Sequence, residues 1–169
     1  MKNHFVFKTV SALLTVLFSV VLLSCQQQQS QPEENGEKSV TATEVPQAVL
    51  DAFHAAYPGA VVHEYSEERE DGQLKYEISF EHDSTRYDAS YNAAGEVVEL
   101  EKTIAADMLP AAIREALTAN YGEMEIRLAE QVNKSGKVFY EVKLTDPKDG
   151  KRYEILFNED GRLVESEEE

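Results

Sequence analysis

The groups able to do chemistry in this chain of 169 residues are one cysteine, Cys25, four histidines and 32 carboxylates. A lone cysteine excludes an internal disulfide and a thiolate cluster for a metal. His4 lies in the leading segment, while His54, His63 and His82 fall on an expected helix, a first strand and a turn, and read as surface histidines. Asp51 and His54 are close on that helix, yet no serine in a nucleophile-elbow setting accompanies them. Neither a phosphate loop nor a glycine-rich dinucleotide fingerprint occurs. The acidic stretches 64–71 and 165–169 lack the alternating ligands and central glycine of a calcium loop, and read as solvated surface. The sequence therefore predicts no catalytic site, no resident metal and no cofactor.

Cys25 has a different chemistry in prospect. Lys2 and Lys8 mark a basic start, and Val10 to Leu23 is an apolar run broken only by Ser11, Thr15 and Ser19. It falls short of the roughly 20 residues a spanning helix needs and suits a signal-peptide core. Leu22-Leu23-Ser24-Cys25 resembles the bacterial lipobox, which implies cleavage before Cys25 and lipidation of its thiol. Stable anchoring needs more than one acyl chain, as such processing supplies. Uncleaved anchoring, or secretion with a free thiol, is the plainer alternative. The expectation is a lipoprotein signal peptide over 1–24 and attachment to a membrane through Cys25, in the bacterial cell envelope at the outer membrane or a periplasmic face.

The formal charge is -16, and without Lys2 and Lys8 the rest carries 14 basic against 32 acidic residues. Such a surface repels nucleic acid and anionic headgroups. Eight tyrosines, seven phenylalanines and 42% hydrophobic residues predict a folded core. Residues 25–43 are polar and without periodicity, and read as a flexible tether with a typical span of about 23 Å and a reach of about 60 Å.

The elements that must position any site emerge from an internal repeat. An offset of 64 residues places Val45-Pro46-Gln47-Ala48-Val49 on Leu109-Pro110-Ala111-Ala112-Ile113, Tyr57 on Tyr121, Gly72 on Gly136 and Tyr76 on Tyr140. An offset of 66 then matches Arg86-Tyr87 with Arg152-Tyr153, Asn92 with Asn158 and Gly95 with Gly161. Sustained register of this kind reads as a duplication, with units at 44–104 and 105–169. His54 and His63 do not recur, since Thr118 and Arg127 stand at their places.

Each unit opens with a helix: Pro46 and Pro110 suit a first turn, and Thr43 and Asp107 are possible caps. Val49, Phe53, Ala56 and Tyr57, and Ile113, Leu117 and Tyr121, repeat at helical spacing. Alternation then predicts strands through Leu74, Tyr76, Ile78 and Phe80, and through Val138, Tyr140, Val142 and Leu144. Third strands follow at Tyr87 to Tyr91 and Tyr153 to Phe157, and short fourth strands at Val97 to Leu100 and Leu163 to Glu165. Asp71-Gly72 and Ser135-Gly136 suit tight hairpins, and Asn92 to Gly95 and Asn158 to Gly161 suit type I turns. A unit of this size is marginal alone. The expected fold is α+β: two tandem helix-plus-four-strand antiparallel units joined as one shared sheet with both helices on one face.

The helix that begins with proline and ends in Tyr57-Pro58-Gly59 or Tyr121-Gly122, followed by Gly72-x-x-x-Tyr76-Glu77-Ile78 and Asn92-x-x-Gly95, resembles the PepSY-like domains of bacterial envelope proteins. The tandem arrangement is similar to the subgroup likened to beta-lactamase inhibitor protein, whose paired units offer a concave sheet to an enzyme. The resemblance covers residues 44 to 166 and implies binding or inhibition of another exported protein, a peptidase among the candidates.

Hairpin register locates where binding is expected. Turns at Asp83-Ser84 and 147–150 set Glu81 opposite Arg86, Ser79 opposite Asp88 and Glu77 opposite Ser90, with Thr145 opposite Arg152, Lys143 opposite Glu154 and Glu141 opposite Leu156. On that outer face Phe139 and Leu156 stand where the first unit has Lys75 and Ser90. They read either as a partner-site anchor rimmed by Glu141, Lys143 and Arg152, or as residues that the tether or a neighbouring strand covers. Two functions follow: a non-catalytic protein-binding, inhibitory module with an exported partner, or a structural or cation-buffering acidic envelope protein.

Overall fold

The computed structural model describes residues 37–70 and 72–169. The signal peptide expected over 1–24, Cys25 and the tether up to residue 36 lie outside the described residues. Chain order is β1 (Glu37–Val40), α1 (Gln47–Ala56), β2 (Val61–Glu70), β3 (Gln73–His82), β4 (Thr85–Tyr91) and β5 (Val97–Thr103). A short turn of 3-10 helix at Ala106–Met108 leads to α2 (Ala111–Tyr121), β6 (Glu125–Lys134), β7 (Lys137–Thr145), β8 (Arg152–Asn158) and β9 (Leu163–Glu168). All nine strands pair antiparallel, each with its neighbour in sequence.

The expectation of an α+β fold made of two tandem helix-plus-four-strand units is corrected by this topology. The described chain is one nine-stranded antiparallel sheet carrying two helices, and sheet dominates it. Two local causes separate it from the expectation. Residues 37–40, read as tether, form β1 and pair with Glu68 to Tyr65 of β2. At the other supposed boundary, β5 and β6 pair without a shift from Glu99↔Lys134 to Thr103↔Glu130, so the sheet is continuous between the two expected units although the chain leaves it after Thr103 for α2. β5 and β9 also extend beyond the short strands expected, to Thr103 and Glu168.

The helix starts differ from the expected caps. Pro46 and Pro110 occupy the cap positions themselves, with no side-chain cap. Thr41 instead donates from its amide and hydroxyl to Glu44 Oε2, both at 2.8 Å, which makes a polar turn before α1. Asp107 lies within the 3-10 turn.

Each helix buries one apolar stripe on the sheet. Val49 and Phe53 of α1 pack with Ile78, Phe80, Ala89 and Tyr91, whereas Ile113 and Leu117 of α2 pack with Leu109, Ala129, Val142, Leu144, Ile155 and Phe157. The pairs Ile78↔Ala89, Ala89↔Leu100, Leu100↔Asn133 and Asn133↔Val138 carry one face across the sheet, so both clusters lie on the same side. The Asn-x-x-Gly turns hold the strands against the helices. Asn92 Oδ1 accepts from the amides of Ala94 and Glu96, and Asn158 Oδ1 from those of Asp160 and Arg162. Gly95 and Gly161 have φ of +83° and +76°, and a Cβ on either would meet backbone atoms of Ala48 or Ala112 at 2.4 or 2.7 Å. These motif residues thus work as structure: turn, positive φ and close approach to a helix.

Candidate functional site

The face opposite the helices is built by alternation along the strands, interrupted by bulges in four pairings, so it takes mostly polar residues, with Leu128, Val132, Phe139 and Leu156 as apolar exceptions. Across the first hairpins it carries Glu81↔Arg86, Ser79↔Asp88 and Glu77↔Ser90, and across β7 and β8 Thr145↔Arg152, Lys143↔Glu154 and Glu141↔Leu156. These six pairs are the ones that turn position and alternation predict. Asp83, Ser84, Ser135 and Gly136 all take positive φ, as two-residue hairpins require.

The face is concave. Residues from the two ends of the sheet, Glu37 and Glu68 on one side and Glu154 and Glu167 on the other, line one trough of about 860 Å³. Twelve carboxylates line it against five basic side chains. Glu141, Lys143 and Leu156, among the residues singled out from sequence, lie in its lining, whereas Phe139 and Arg152 do not. Phe139 lies on β7 between Val132 of β6 and Asn158, the last residue of β8, and Arg152 is exposed at the start of β8.

Lys143 organises the second half of the trough. Its Nζ lies 3.0 Å from Glu141 Oε1, 3.4 Å from Glu154 Oε2 and 3.9 Å from Glu130 Oε2. Burial alone would lower the pKa of this ammonium, but the surrounding carboxylates outweigh it and raise the pKa. Glu130 is 2% exposed and accepts a 3.1 Å hydrogen bond from Thr103 Oγ1. Burial raises its pKa, and Lys143 opposes that rise.

Toward β4 and β5 the carboxylates have less help. Glu101 is pushed up to about 9, first by burial and then by the charges of Glu141, Glu130 and Glu99. Glu77 is pushed up to about 7, by burial and then by Asp88, Glu37 and Glu68, while a 3.4 Å hydrogen bond from Ser90 Oγ works the other way. Glu141 also rises to about 7 through burial, despite its ion pair with Lys143. Ser79 Oγ donates to Asp88 Oδ1. One carboxylate oxygen each from Asp88, Glu101 and Glu130 lies within 4.8 Å of the other two. Chemically, the arrangement can hold cations and exchange protons near neutrality.

Sequence reasoning missed Asp88, Glu101 and Glu130 as a group. They come from β4, β5 and β6, and the β5–β6 pairing that joins them links Thr103 to Glu130 across a helix. Their one available signal is a row of acids at outward-facing positions. The histidines stay apart, His54 on α1, His63 on β2 and His82 at the end of β3, where its Nδ1 is 3.6 Å from Asp83.

Comparisons with known proteins agree with this architecture. The family model described as "Putative beta-lactamase-inhibitor-like, PepSY-like" matches residues 74–165, and that of the "Peptidase propeptide and YPEB domain" matches 46–94. No curated protein is significantly similar to the chain. Among solved structures, a "putative periplasmic" protein from Bacteroides eggerthii has a TM-score of 0.63 at 19% identity, covering 73% of this chain and 88% of its own. A DUF2874 family protein from Bacteroides uniformis has a TM-score of 0.61 with the same identity and coverage. A BLIP-like protein from Bacteroides fragilis has a TM-score of 0.54 at 19% identity, covering 73% of this chain and 86% of its own. With a matched stretch that spans more than half of its length, the chain belongs to the PepSY-like, beta-lactamase-inhibitor-like family.

Proposed function

We propose that the mature chain is a non-catalytic protein-binding module of the bacterial cell envelope, lipid-anchored through Cys25, that binds and thereby inhibits another exported protein. The observation that carries this reading is the open concave face, which no helix of the described chain covers and which holds Lys143 among three carboxylates. Fold and family support it, since a relative of similar fold is BLIP-like and another is described as periplasmic. Glu141, Lys143 and Leu156 form the contact surface within the trough, with Phe139 and Arg152 at its margin. Apolar groups ringed by polar ones exclude water and gain affinity in that arrangement.

Capture from envelope extract on the immobilised mature chain tests the reading. One stoichiometric protein partner is expected, lost when Phe139 and Leu156 are replaced by serine. No enriched partner in repeated captures would sink it. Lipidation is tested separately: Cys25→Ala should release the protein from membranes or leave it at precursor size.

A second reading is favoured by the convergence of Asp88, Glu101 and Glu130 within 4.8 Å. It makes the chain a cation-buffering envelope protein. Stability that depends on calcium, with no captured partner, would select it.

A further inference from the structure

We infer that the concave face receives a lysine- or arginine-rich segment of its partner, which supplies on the β3–β5 side the kind of cation that Lys143 supplies on the β7 side. The inference rests on the protein-binding reading above and adds the chemistry of the partner.

Charge is distributed unevenly within the trough. In its second half Lys143 stands among Glu130, Glu141 and Glu154. In the first half, Ser79 occupies the matching place on the neighbouring hairpin, since Ser79 faces Asp88 as Lys143 faces Glu154. A hydroxyl neutralises nothing. Around it lie Glu77, Asp88, Glu99 and Glu101, with Arg69 of β2 and Arg86 of β4 as the basic groups of this half and Lys134 of β6 ion-paired to Glu99 at 3.0 Å. Twelve acids against five bases along the whole lining leave a net negative trough that only a cationic occupant complements. Low-dielectric walls focus that field and speed the approach of a positive ligand.

Shape agrees with a chain segment. Eight inter-strand steps of about 4.8 Å give an arc of roughly 38 Å across the sheet, the reach of about 11 extended residues. Leu128 and Leu156 at the β6–β9 end offer contact for the aliphatic stems of long basic side chains. The electrostatics of the free protein fit as well. Glu77 and Glu101, raised to about 7 and about 9, retain protons near neutrality first because they are buried and then because their neighbours are mostly carboxylates. Glu77 faces Asp88, Glu37 and Glu68, and Glu101 faces Glu141, Glu130, Glu99 and Lys143. An arriving cation favours the charged forms, so docking expels protons and tightens as the pH rises from 6 to 9.

The test uses the mature chain in neutral detergent and an octalysine peptide as probe, followed by calorimetry in buffers of different ionisation enthalpy. Saturable binding with proton release at pH 7 is expected. Asp88→Asn combined with Glu101→Gln should weaken binding by about tenfold or more, and Glu159→Gln with Asp160→Asn, the same kinds of substitution on an exposed turn with at least as large a loss of charge, by less than about twofold. Equal losses in the two pairs would reduce the effect to overall charge and overturn the inference. So would saturation by calcium alone below about 0.1 mM with no octalysine binding. A captured partner that neither octalysine nor the Asp88/Glu101 variant disturbs overturns this inference and leaves the protein-binding reading intact. Octalysine binding by the trough with no captured partner does the reverse.

Discussion

The clusters under α1 and α2 solve the same packing problem with different side chains. Under α1 the core is aromatic: Phe53 meets Phe80 edge-on with centroids 4.9 Å apart, and Phe80 stacks on Tyr87 at 5.3 Å and 13°. Under α2 it is aliphatic, built on Leu109, Ile113, Leu117, Val142, Leu144 and Ile155, with Phe157 its one fully buried ring. The outer face reverses the balance. Opposite the aromatic core it carries Ser66, Ser79 and Ser90, and opposite the aliphatic core it carries Leu128, Val132, Phe139 and Leu156 around an ion cluster. The difference teaches that one sheet can divide its labour: one end packs rings beneath its helix, while the other turns apolar groups outward on the face proposed to receive a partner.

The sharpest way to break the comparison is to cut between the ends. Leu100 packs into the α1 cluster and Ile104 into the α2 cluster, so β5 and the residue after it belong to both. Deleting residues 105–169 should abolish cooperative unfolding of the remainder, and the intact mature chain should melt in one transition. Two resolved calorimetric peaks would show that the ends are independent.

Truncating each core comes next. Phe80→Ala should cost about 3–5 kcal/mol and Leu144→Ala about 2–5 kcal/mol in denaturant unfolding, since both leave cavities. If the aromatic end is the stiffer, Phe80→Ala should show the larger loss and the poorer recovery on refolding.

Gly95→Ala and Gly161→Ala place matched lesions at the two ends. Each forces an L side chain into positive φ and against a helix backbone, a cost of about 1–3 kcal/mol. The closer approach at Gly95, 2.4 Å against 2.7 Å, predicts the larger drop in melting temperature there.

The pH dependence is smaller and has a definite sign. Glu77, Glu101 and Glu141 bind protons more tightly folded than unfolded, so their contribution is fully present below the ordinary carboxylate range near 4.5 and fades as pH rises through about 7 to about 9. The melting temperature should therefore be higher at pH 5.5 than at pH 8.5, by about 3 °C or more, and Glu101→Gln should flatten the slope. A melting temperature that rises with pH over that window would contradict the burial of these acids. The smallest effect is expected at the apolar residues of the outer face. Phe139→Ser with Leu156→Ser should lose partner capture while changing stability by about 1 kcal/mol or less.

What the sequence revealed of all this follows the range of each interaction. The register of β3 with β4 and of β7 with β8 was readable because Asp83-Ser84 and the 147–150 turn fix it locally and alternation carries it outward. The helix faces were readable from Val49, Phe53, Ile113 and Leu117 for the same reason. β1 was not, since Glu-Lys-Ser-Val is polar and becomes a strand only by pairing with β2 almost 30 residues away. The caps were misread because Thr41 and Glu44 form their own turn before Pro46 takes the cap position. The acidic group in the trough was hidden because a buried glutamate such as Glu130 looks like any surface glutamate until Thr103 and Lys143 are set beside it.

The last strand has a consequence for how the molecule behaves in a crowd. β9 forms one edge of the described sheet, exposed along its whole length, and Glu165, Glu167 and Glu168 stud it with negative charge. A second copy arriving edge to edge would have to bring carboxylates against carboxylates at cross-strand distance, which disfavours open-ended strand addition. Neutralising those three side chains to glutamine should turn a well-behaved solute into one that forms fibrils or precipitates at high concentration, with its fold otherwise unchanged.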